Sequence, residues 1–316
     1  MMNTFDFRNS ALPLLVLLAL VVVPLFAGSY VQGVVVKMMA FALFAVSLNI
    51  ILGYGGMASL GHAAFFGVGA YVVAKMSTSG VDSLWLQLLA AVLLATVTAA
   101  VFGLLTLRAK GAYLLMITLA LAQVLWGVAY SWKSFTGADD GIPGISRPVS
   151  IFLWDLSTSS GYYYFVLAVF TVVLALTGLF VASSFGRALL GVRENERRML
   201  VLGYPVWAYK YLACVLSGGL AGLAGALMAW QNGFVGPSYL SVAYSAMVLI
   251  MVILGGAGTL YGPVLGAFII IGLENYISGI TDRWVLILGL IYVLVTLFAP
   301  NGVVGLFAMR KKEGAS

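Results

Sequence analysis

Ten apolar runs follow one another along the chain, most of them close to the roughly 20 residues a helix needs to cross a hydrocarbon core. They are Ala11–Tyr30, Gly33–Leu52, Ala58–Thr78, Leu84–Leu107, Ala112–Tyr130, Tyr162–Val181, Tyr211–Gln231, Val242–Leu254, Val264–Ile280 and Trp284–Ala299, the eighth being short. Such runs leave few architectures open, because inside lipid every backbone N–H and C=O must find its partner within the protein. The remaining residues agree. Only 8% are charged and 63% are hydrophobic, with a mean hydropathy of +1.09, whereas a soluble domain is about one quarter charged. The expected fold is all-α and polytopic, with about ten transmembrane helices, Gly-rich helix breaks and no separately folding soluble domain.

Lys and Arg accumulate on the side of a membrane they need not cross. With the N-terminus inside, Arg8, Arg108, Lys110, Arg187, Arg193, Arg197, Arg198, Lys210, Arg310, Lys311 and Lys312 lie in the cytoplasm, and Lys37, Lys75, Lys133, Arg147 and Arg283 lie outside. Both termini are then cytoplasmic and the number of crossings is even. The first run has features of a signal peptide, but its length, Pro24 and the nearby Asp6 favour an uncleaved helix. The longest outer loop, residues 131–161, contains Thr136-Gly-Ala-Asp-Asp-Gly-Ile-Pro-Gly144 and reads as turns. The net charge of +6 comes from scattered loop residues rather than a basic domain, so nucleic acid is not an expected partner.

One histidine, one cysteine and a few loop carboxylates supply neither a nucleophile with its base nor a metal cluster, so no enzyme is expected. Cys214 sits in an apolar run and reads as a small core residue. Gly218 and Gly222 are four apart on one helix face, a spacing that admits close helix packing. Two Gly-rich joints, Gly53-Tyr-Gly-Gly-Met-Ala-Ser-Leu-Gly-His62 and Gly255-Gly-Ala-Gly-Thr-Leu-Tyr-Gly-Pro263, each follow an apolar helix and open another, as paired helix breaks do in transporters built from repeats. His62 is either satisfied by backbone at such a break or part of a polar path. Glu274 carries an ionisable group into an apolar helix at a cost of about 2.5 to 3.5 kcal/mol at the helix centre. It is offset either by a position near the outer interface beside Asn275 and Ser278, or by a water-lined cavity. Asn49, Thr118 and Gln123 are milder polar candidates, and Thr118 and Gln123 lie about 140° apart on an ideal helix.

The segment Ser184–Lys210 is basic and polar in an otherwise oily chain. Glu194 precedes Arg197 by three residues and Arg198 by four, a favourable helical order for ion pairs. Leu189, Val192 and Met199 can form an apolar face, with Gly203-Tyr-Pro205 as the stop. A short amphipathic surface helix and a solvated loop held at lipid headgroups are both open readings.

The chain resembles the inner-membrane permeases of branched-chain amino acid ABC importers, the LivM type. The resemblance rests on Asn49-Ile-Ile-Leu-Gly-Tyr-Gly-Gly-Met-Ala-Ser-Leu-Gly-His-Ala-Ala-Phe-Phe-Gly-Val-Gly-Ala-Tyr71, Lys110-Gly-Ala-Tyr-Leu-Leu-Met-Ile-Thr-Leu-Ala-Leu-Ala-Gln123, Thr136-Gly-Ala-Asp-Asp-Gly141 and Met251-Val-Ile-Leu-Gly-Gly-Ala-Gly-Thr-Leu-Tyr-Gly-Pro-Val-Leu-Gly-Ala267. It implies a single permease domain over residues 1–316 in the bacterial inner membrane. The segment at about 184–210 becomes the coupling element for a separate ATPase, with Arg187, Arg193, Glu194, Asn195, Glu196, Arg197, Arg198 and Gly203 as its candidate residues. The usual Glu-Ala-Ala, three residues, Gly of ABC importers is here Arg197-Arg-Met, three residues, Gly203, so only the glycine spacing is kept.

The same resemblance implies further partners: ABC ATPase subunits carrying ATP and magnesium, a periplasmic substrate-binding protein and a homologous LivH-type permease. This chain would bind no cofactor itself, and it has no Walker-type Gly-Lys-Ser/Thr. Candidate path residues are Asn49, Gly55, Ser59, His62, Tyr113, Thr118, Gln123 and Glu274. Similar permeases serve urea and short-chain amides, and an ion-coupled carrier using Glu274 is the reading from another class.

Overall fold

The structure, a computed structural model, describes residues 12–148, 150–151 and 154–281 and a few isolated positions between 283 and 293. Its long helices are α1 (Leu12–Phe26), α2 (Ser29–Asn49), α3 (Ala63–Thr78), α4 (Leu84–Thr106) and α5 (Ala112–Ser131). After a four-residue helix α6 (Lys133–Thr136) come α7 (Ser159–Ala182), α8 (Ser184–Glu194), α9 (Glu196–Val201), α10 (Val206–Asn232), α11 (Val242–Gly255) and α12 (Gly262–Ser278). Five helical stretches are long and apolar enough to cross a membrane, the first being α2 extended to Tyr54, with α4, α5, α7 and α10. Four shorter apolar helices accompany them. Nine of the ten expected runs coincide with these helices; the tenth, Trp284–Ala299, lies outside the described residues except for isolated positions, and Arg8, Arg310, Lys311 and Lys312 lie outside them.

Two boundaries differ from the hydropathy reading. The third run begins as irregular chain, because α3 starts only at Ala63 and residues 55–62 leave the helix. Apolar side chains set that run, but Gly55, Gly56 (φ +67°) and Gly61 set its backbone. The outer loop is also more than turns. Ile142–Pro143 pairs antiparallel with Phe234–Val235, tying that loop to the chain just after α10.

Small residues let α10 sit at the centre. A Cβ on Gly218 would lie 3.4 Å from the Ala95 carbonyl and would also overlap the Ala99 methyl of α4. On the same face, Gly222 lies against Ala95 of α4 and also meets Gly69 of α3 backbone to backbone, and Gly225 lies against the Phe66 carbonyl. Without a hydrophobic drive between helices in lipid, such close approach supplies the attraction through dispersion. Cys214 is buried on the same seam, its Sγ 3.7 Å from the Ala99 carbonyl. Trp230, fully buried near the end of α10, donates from Nε1 to Gln87 Oε1 of α4 at 2.9 Å.

The bundle has two chemically distinct ends. At one, Arg147 donates to the Trp230 carbonyl (3.2 Å) and to Gln231 Oε1 (3.1 Å), and Ser160 Oγ donates to Gln32 Oε1 (3.2 Å). At the other lie α8, α9, the ends of α2 and α11, and Lys110 and Lys210.

Gly222→Leu forces a side chain into the α10–α3–α4 seam, and overpacking of this kind costs about 1 to 3 kcal/mol. Gly127→Leu on α5, where a Cβ meets nothing within 4 Å, serves as the matched control. Thermal unfolding in detergent should separate them clearly, with the Gly222 variant melting lower and the Gly127 variant close to the parent.

Candidate functional site

The polar segment between α7 and α10 is two helices with an elbow. Ser183 caps α8 by accepting the Gly186 N–H (3.3 Å). Asn195, extended at φ −156° and ψ 96°, ends α8 and caps α9 by accepting the Arg198 N–H at 2.9 Å. This elbow corrects the expected pairing of Glu194 with Arg197 and Arg198. The three residues do not share one helix, and no ion pair joins them among the described residues. An Asn at an N-cap satisfies an otherwise orphaned N–H, and here that preference wins over a continuous helix. The apolar face is as expected: Leu189, Val192 and Met199 are buried against the protein. Gly203, at φ +84°, turns the chain after α9 toward α10.

The charged residues of this element have separate employments. Glu196 is bound by Lys110 Nζ (3.1 Å) and by Lys210 Nζ (3.0 Å), which fastens α9 to the α4–α5 loop and to α10. Partial burial pushes its carboxyl upward, but the hydrogen bonds and charges of Lys210 and Lys110 outweigh this and hold it below the ordinary carboxylate value. Arg187 donates to the Ala182 carbonyl (2.7 Å) and to Ser184 Oγ (3.3 Å). Arg193 points back at the bundle and donates to the Gly53 carbonyl. Glu194, Arg197 and Arg198 are exposed and have no side-chain hydrogen bond or ion pair among the described residues. Beside them Leu200, Val201 and Leu202 are exposed, Val201 to 88%.

The two Gly-rich joints, 255 and 53 in their opening glycines, meet at this end. Asn49, buried at the last turn of α2, accepts the Gly258 N–H with Oδ1 (2.8 Å) and donates from Nδ2 to the Thr259 carbonyl (2.8 Å). After Asn49 the helix widens into a π turn, Ile50–Tyr54, a local distortion that often accompanies functional sites.

The remaining path candidates fall into three groups. Ser59 and Thr118 are buried together on a small cleft whose other walls include Met57, Phe65, Phe102 and Leu114. Their hydroxyls are already engaged, Ser59 Oγ by the Gly61 N–H (3.2 Å) and Thr118 Oγ1 by the Leu60 N–H (3.3 Å) and the Leu115 carbonyl (3.0 Å). Gly55 follows the π turn nearby. His62 is fully buried behind this cleft, its Nε2 2.8 Å from Ser47 Oγ and its ring stacked on Phe44. Its Nδ1 has no hydrogen-bond partner among the described residues. Ser47 Oγ also donates to the Phe44 carbonyl (2.7 Å). Tyr113 is 75% exposed at the start of α5, and Gln123 is half-buried further along it, so neither joins the cluster.

Glu274 lies elsewhere, and its partner was not visible in the sequence. Lys37 Nζ of α2 lies 3.1 Å from Glu274 Oε1, and Tyr30 Oη donates to Asn275 Oδ1 at 3.1 Å. The two charged side chains are 33% and 17% exposed. The cost of an ionised group in an apolar helix is thus offset by a second ionised group on the neighbouring helix. Glu274 Oε2 is buried without a hydrogen bond among the described residues.

Residues 30–297 match the family described as branched-chain amino acid transport system / permease component. The high-affinity branched-chain amino acid transport system permease protein LivM of Escherichia coli K12 is 28% identical over 302 residues, which is 88% of this chain and 71% of that protein. LivH of Salmonella typhimurium, a permease protein of the same kind of system, is 24% identical over 286 residues, 84% of this chain and 91% of that protein. The autoinducer 2 import system permease protein LsrC of Salmonella paratyphi B is 28% identical over 169 residues, covering 51% and 46% respectively. No solved structure matches the chain.

Two measurements test these electrostatic assignments. Lys37→Met should lower the melting temperature more than Lys37→Met combined with Glu274→Leu, because the single change strands a partly buried carboxylate whereas the double change removes both charges. Additive effects would contradict a coupled pair. The Glu196 attachment gives stability that is complete above its ordinary value of 4.5 and is lost as pH falls through the lowered folded value. Protection of the α9 amides, taken relative to intrinsic exchange at each pH, should accordingly fall on acidification, and Glu196→Gln should show low protection with little further response to pH.

Proposed function

The chain belongs to the branched-chain amino acid transport system permease family, and we propose that it is one membrane subunit of an ABC importer for leucine, isoleucine and valine. The observation that carries the coupling part of this reading is the α8–α9 elbow. It is an amphipathic element whose apolar face is buried, whose Glu196 is anchored, and whose Glu194, Arg197, Arg198 and Leu200–Leu202 remain exposed. An exposed apolar strip rimmed by unpaired charges suits a protein partner better than solvent.

The elbow end is cytoplasmic, and the end carrying Arg147 and the 131–161 loop faces the periplasm, with both termini inside and about ten crossings in the inner membrane. A separate ATPase binds ATP and magnesium and docks on the elbow, while this chain binds no cofactor. A LivH-type permease completes the path, and a periplasmic binding protein delivers the solute. The cleft at Ser59 and Thr118 supports an aliphatic cargo, because its walls are largely apolar and the Thr118 hydroxyl is already used within the fold.

Reversing Arg197 and Arg198 to Glu places like charges where attraction is expected, and should reduce the ATPase retained on the purified permease by about tenfold or more. Uptake of labelled leucine by cells relying on this transporter should fall in parallel, with the amount of membrane protein unchanged. Full ATPase retention together with normal uptake would remove the elbow as the docking element.

A further inference from the structure

Among the ionised side chains of the elbow, Arg193 alone reaches the place where the two Gly-rich joints touch. Its guanidinium donates to the Gly53 carbonyl at the end of the π turn, where a helix C-terminus leaves carbonyls without partners and favours a cation. The groove it occupies is floored by glycines from both joints. A Cβ on Gly56 would come within 2.9 Å of Arg193 Cγ, and one on Gly258 within 2.7 Å of Nη1. Both glycines hold positive φ, +67° and +84°, so neither position accepts an ordinary side chain without strain. The joints themselves are in contact there: a Cβ on Gly258 would lie 3.1 Å from the Gly53 carbonyl oxygen, and Asn49 spans both sides of the contact.

We infer that Arg193 is a positioning residue, a strut through which displacement of the α8–α9 elbow is delivered to both joints at once. The inference rests on the reading of the elbow as the ATPase docking element. The attachments are arranged for it. Glu196 and the buried Leu189, Val192 and Met199 fasten the elbow to α10 and the α4–α5 loop, whereas Arg193 is its polar side-chain link to the joints. Because Asn49 binds the second joint to the end of α2, a push on Gly53 is also a push on Gly258. The helices that follow the joints, α3 and α12, would then be moved together by one side chain. A residue that only capped α2 would stabilise the fold without changing how much solute moves per ATP.

The test uses the whole transporter in proteoliposomes and reads leucine uptake per ATP hydrolysed. Arg193→Gln should assemble with the ATPase at the parent level and hydrolyse ATP, yet its uptake per ATP should fall by about tenfold. Arg193→Lys, which can still donate to the Gly53 carbonyl, should recover most of that loss. Gly258→Ala, which intrudes on the guanidinium, should uncouple similarly, and the double variant Arg193→Gln with Gly258→Ala should be no worse than either single change. If Arg193→Gln fails to fold, Gly258→Ala carries the test.

Parent-level uptake per ATP in Arg193→Gln, or in Gly258→Ala should the former not fold, overturns the strut. So does loss of ATPase retention in Arg193→Gln, which would make Arg193 a docking residue instead. Failure of the underlying reading looks different. In that case the Arg197→Glu, Arg198→Glu variant would keep the ATPase at the parent level and transport leucine normally, whatever occupies position 193.

Discussion

Asn49 reaches from the last turn of α2 to a loop 209 residues further along the chain, and its one amide pairs with both an N–H and a carbonyl of that loop. A buried amide left unpaired costs about 1 to 3 kcal/mol, so the contact is exacting for each side. Gly53 must lack a side chain, since a Cβ there would overlap both Asn49 Oδ1 and the Gly258 nitrogen. Gly258 must adopt a positive φ to present its N–H. The positions of α2, α11 and α12 follow from this one junction, because each of those helices begins or ends within a few residues of it.

What could be read from the sequence divides by the range of the interaction concerned. Helix existence rests on local hydropathy, and nine of the ten apolar runs correspond to helices in the described residues. The small-residue seam at Gly218 and Gly222 was also legible, because helical periodicity puts both on one face. The late start of α3 was not, since Ala58, Leu60 and Ala63 read alike to a hydropathy window while Gly55, Gly56 and Gly61 decide the backbone. The absent Glu194–Arg198 pair failed for a different local reason: Asn195 competes for the backbone as a cap. Contacts across the fold, such as Lys37 with Glu274 or Asn49 with Thr259, leave no trace in spacing. Glu274 stands out in the sequence as a costly ionisable residue and Asn49 as a milder polar one, but the groups that compensate them lie more than 200 residues away.

Rigidity is distributed unevenly through the bundle. In the spans of α2 and α10, 78% of the most apolar window is buried inside the protein, against 22% for α5. The first two therefore lie in a packed centre, where α10 also meets α3 through backbone approaches at Gly69, Gly222 and Gly225. By contrast, α5 shows Tyr113, Met116, Val124 and Val128 to its surroundings. Four residues of α5 are buried, Leu114, Thr118, Ala122 and Ala129, and Thr118 sets its hydroxyl and its carbonyl against the first Gly-rich joint. A loosely held helix that touches a joint at one residue can follow that joint without repacking the core.

Charge makes the same distinction between what is fixed and what is available. Lys37 with Glu274 and Lys110 with Glu196 and Lys210 are satisfied internally, and a satisfied pair has little free energy left to offer a partner. Arg193 is also spent, on a backbone carbonyl. Glu194, Arg197 and Arg198 are left over on the elbow, next to exposed Leu200, Val201 and Leu202. Under the proposed function, the outer face of the elbow would recognise the partner while its inner face would transmit. Arg197 and Arg198 lie beyond Asn195 and Arg193 lies before it, where the chain stops being one helix and becomes two, so a force on α9 would reach α8 and Arg193 through a single extended residue.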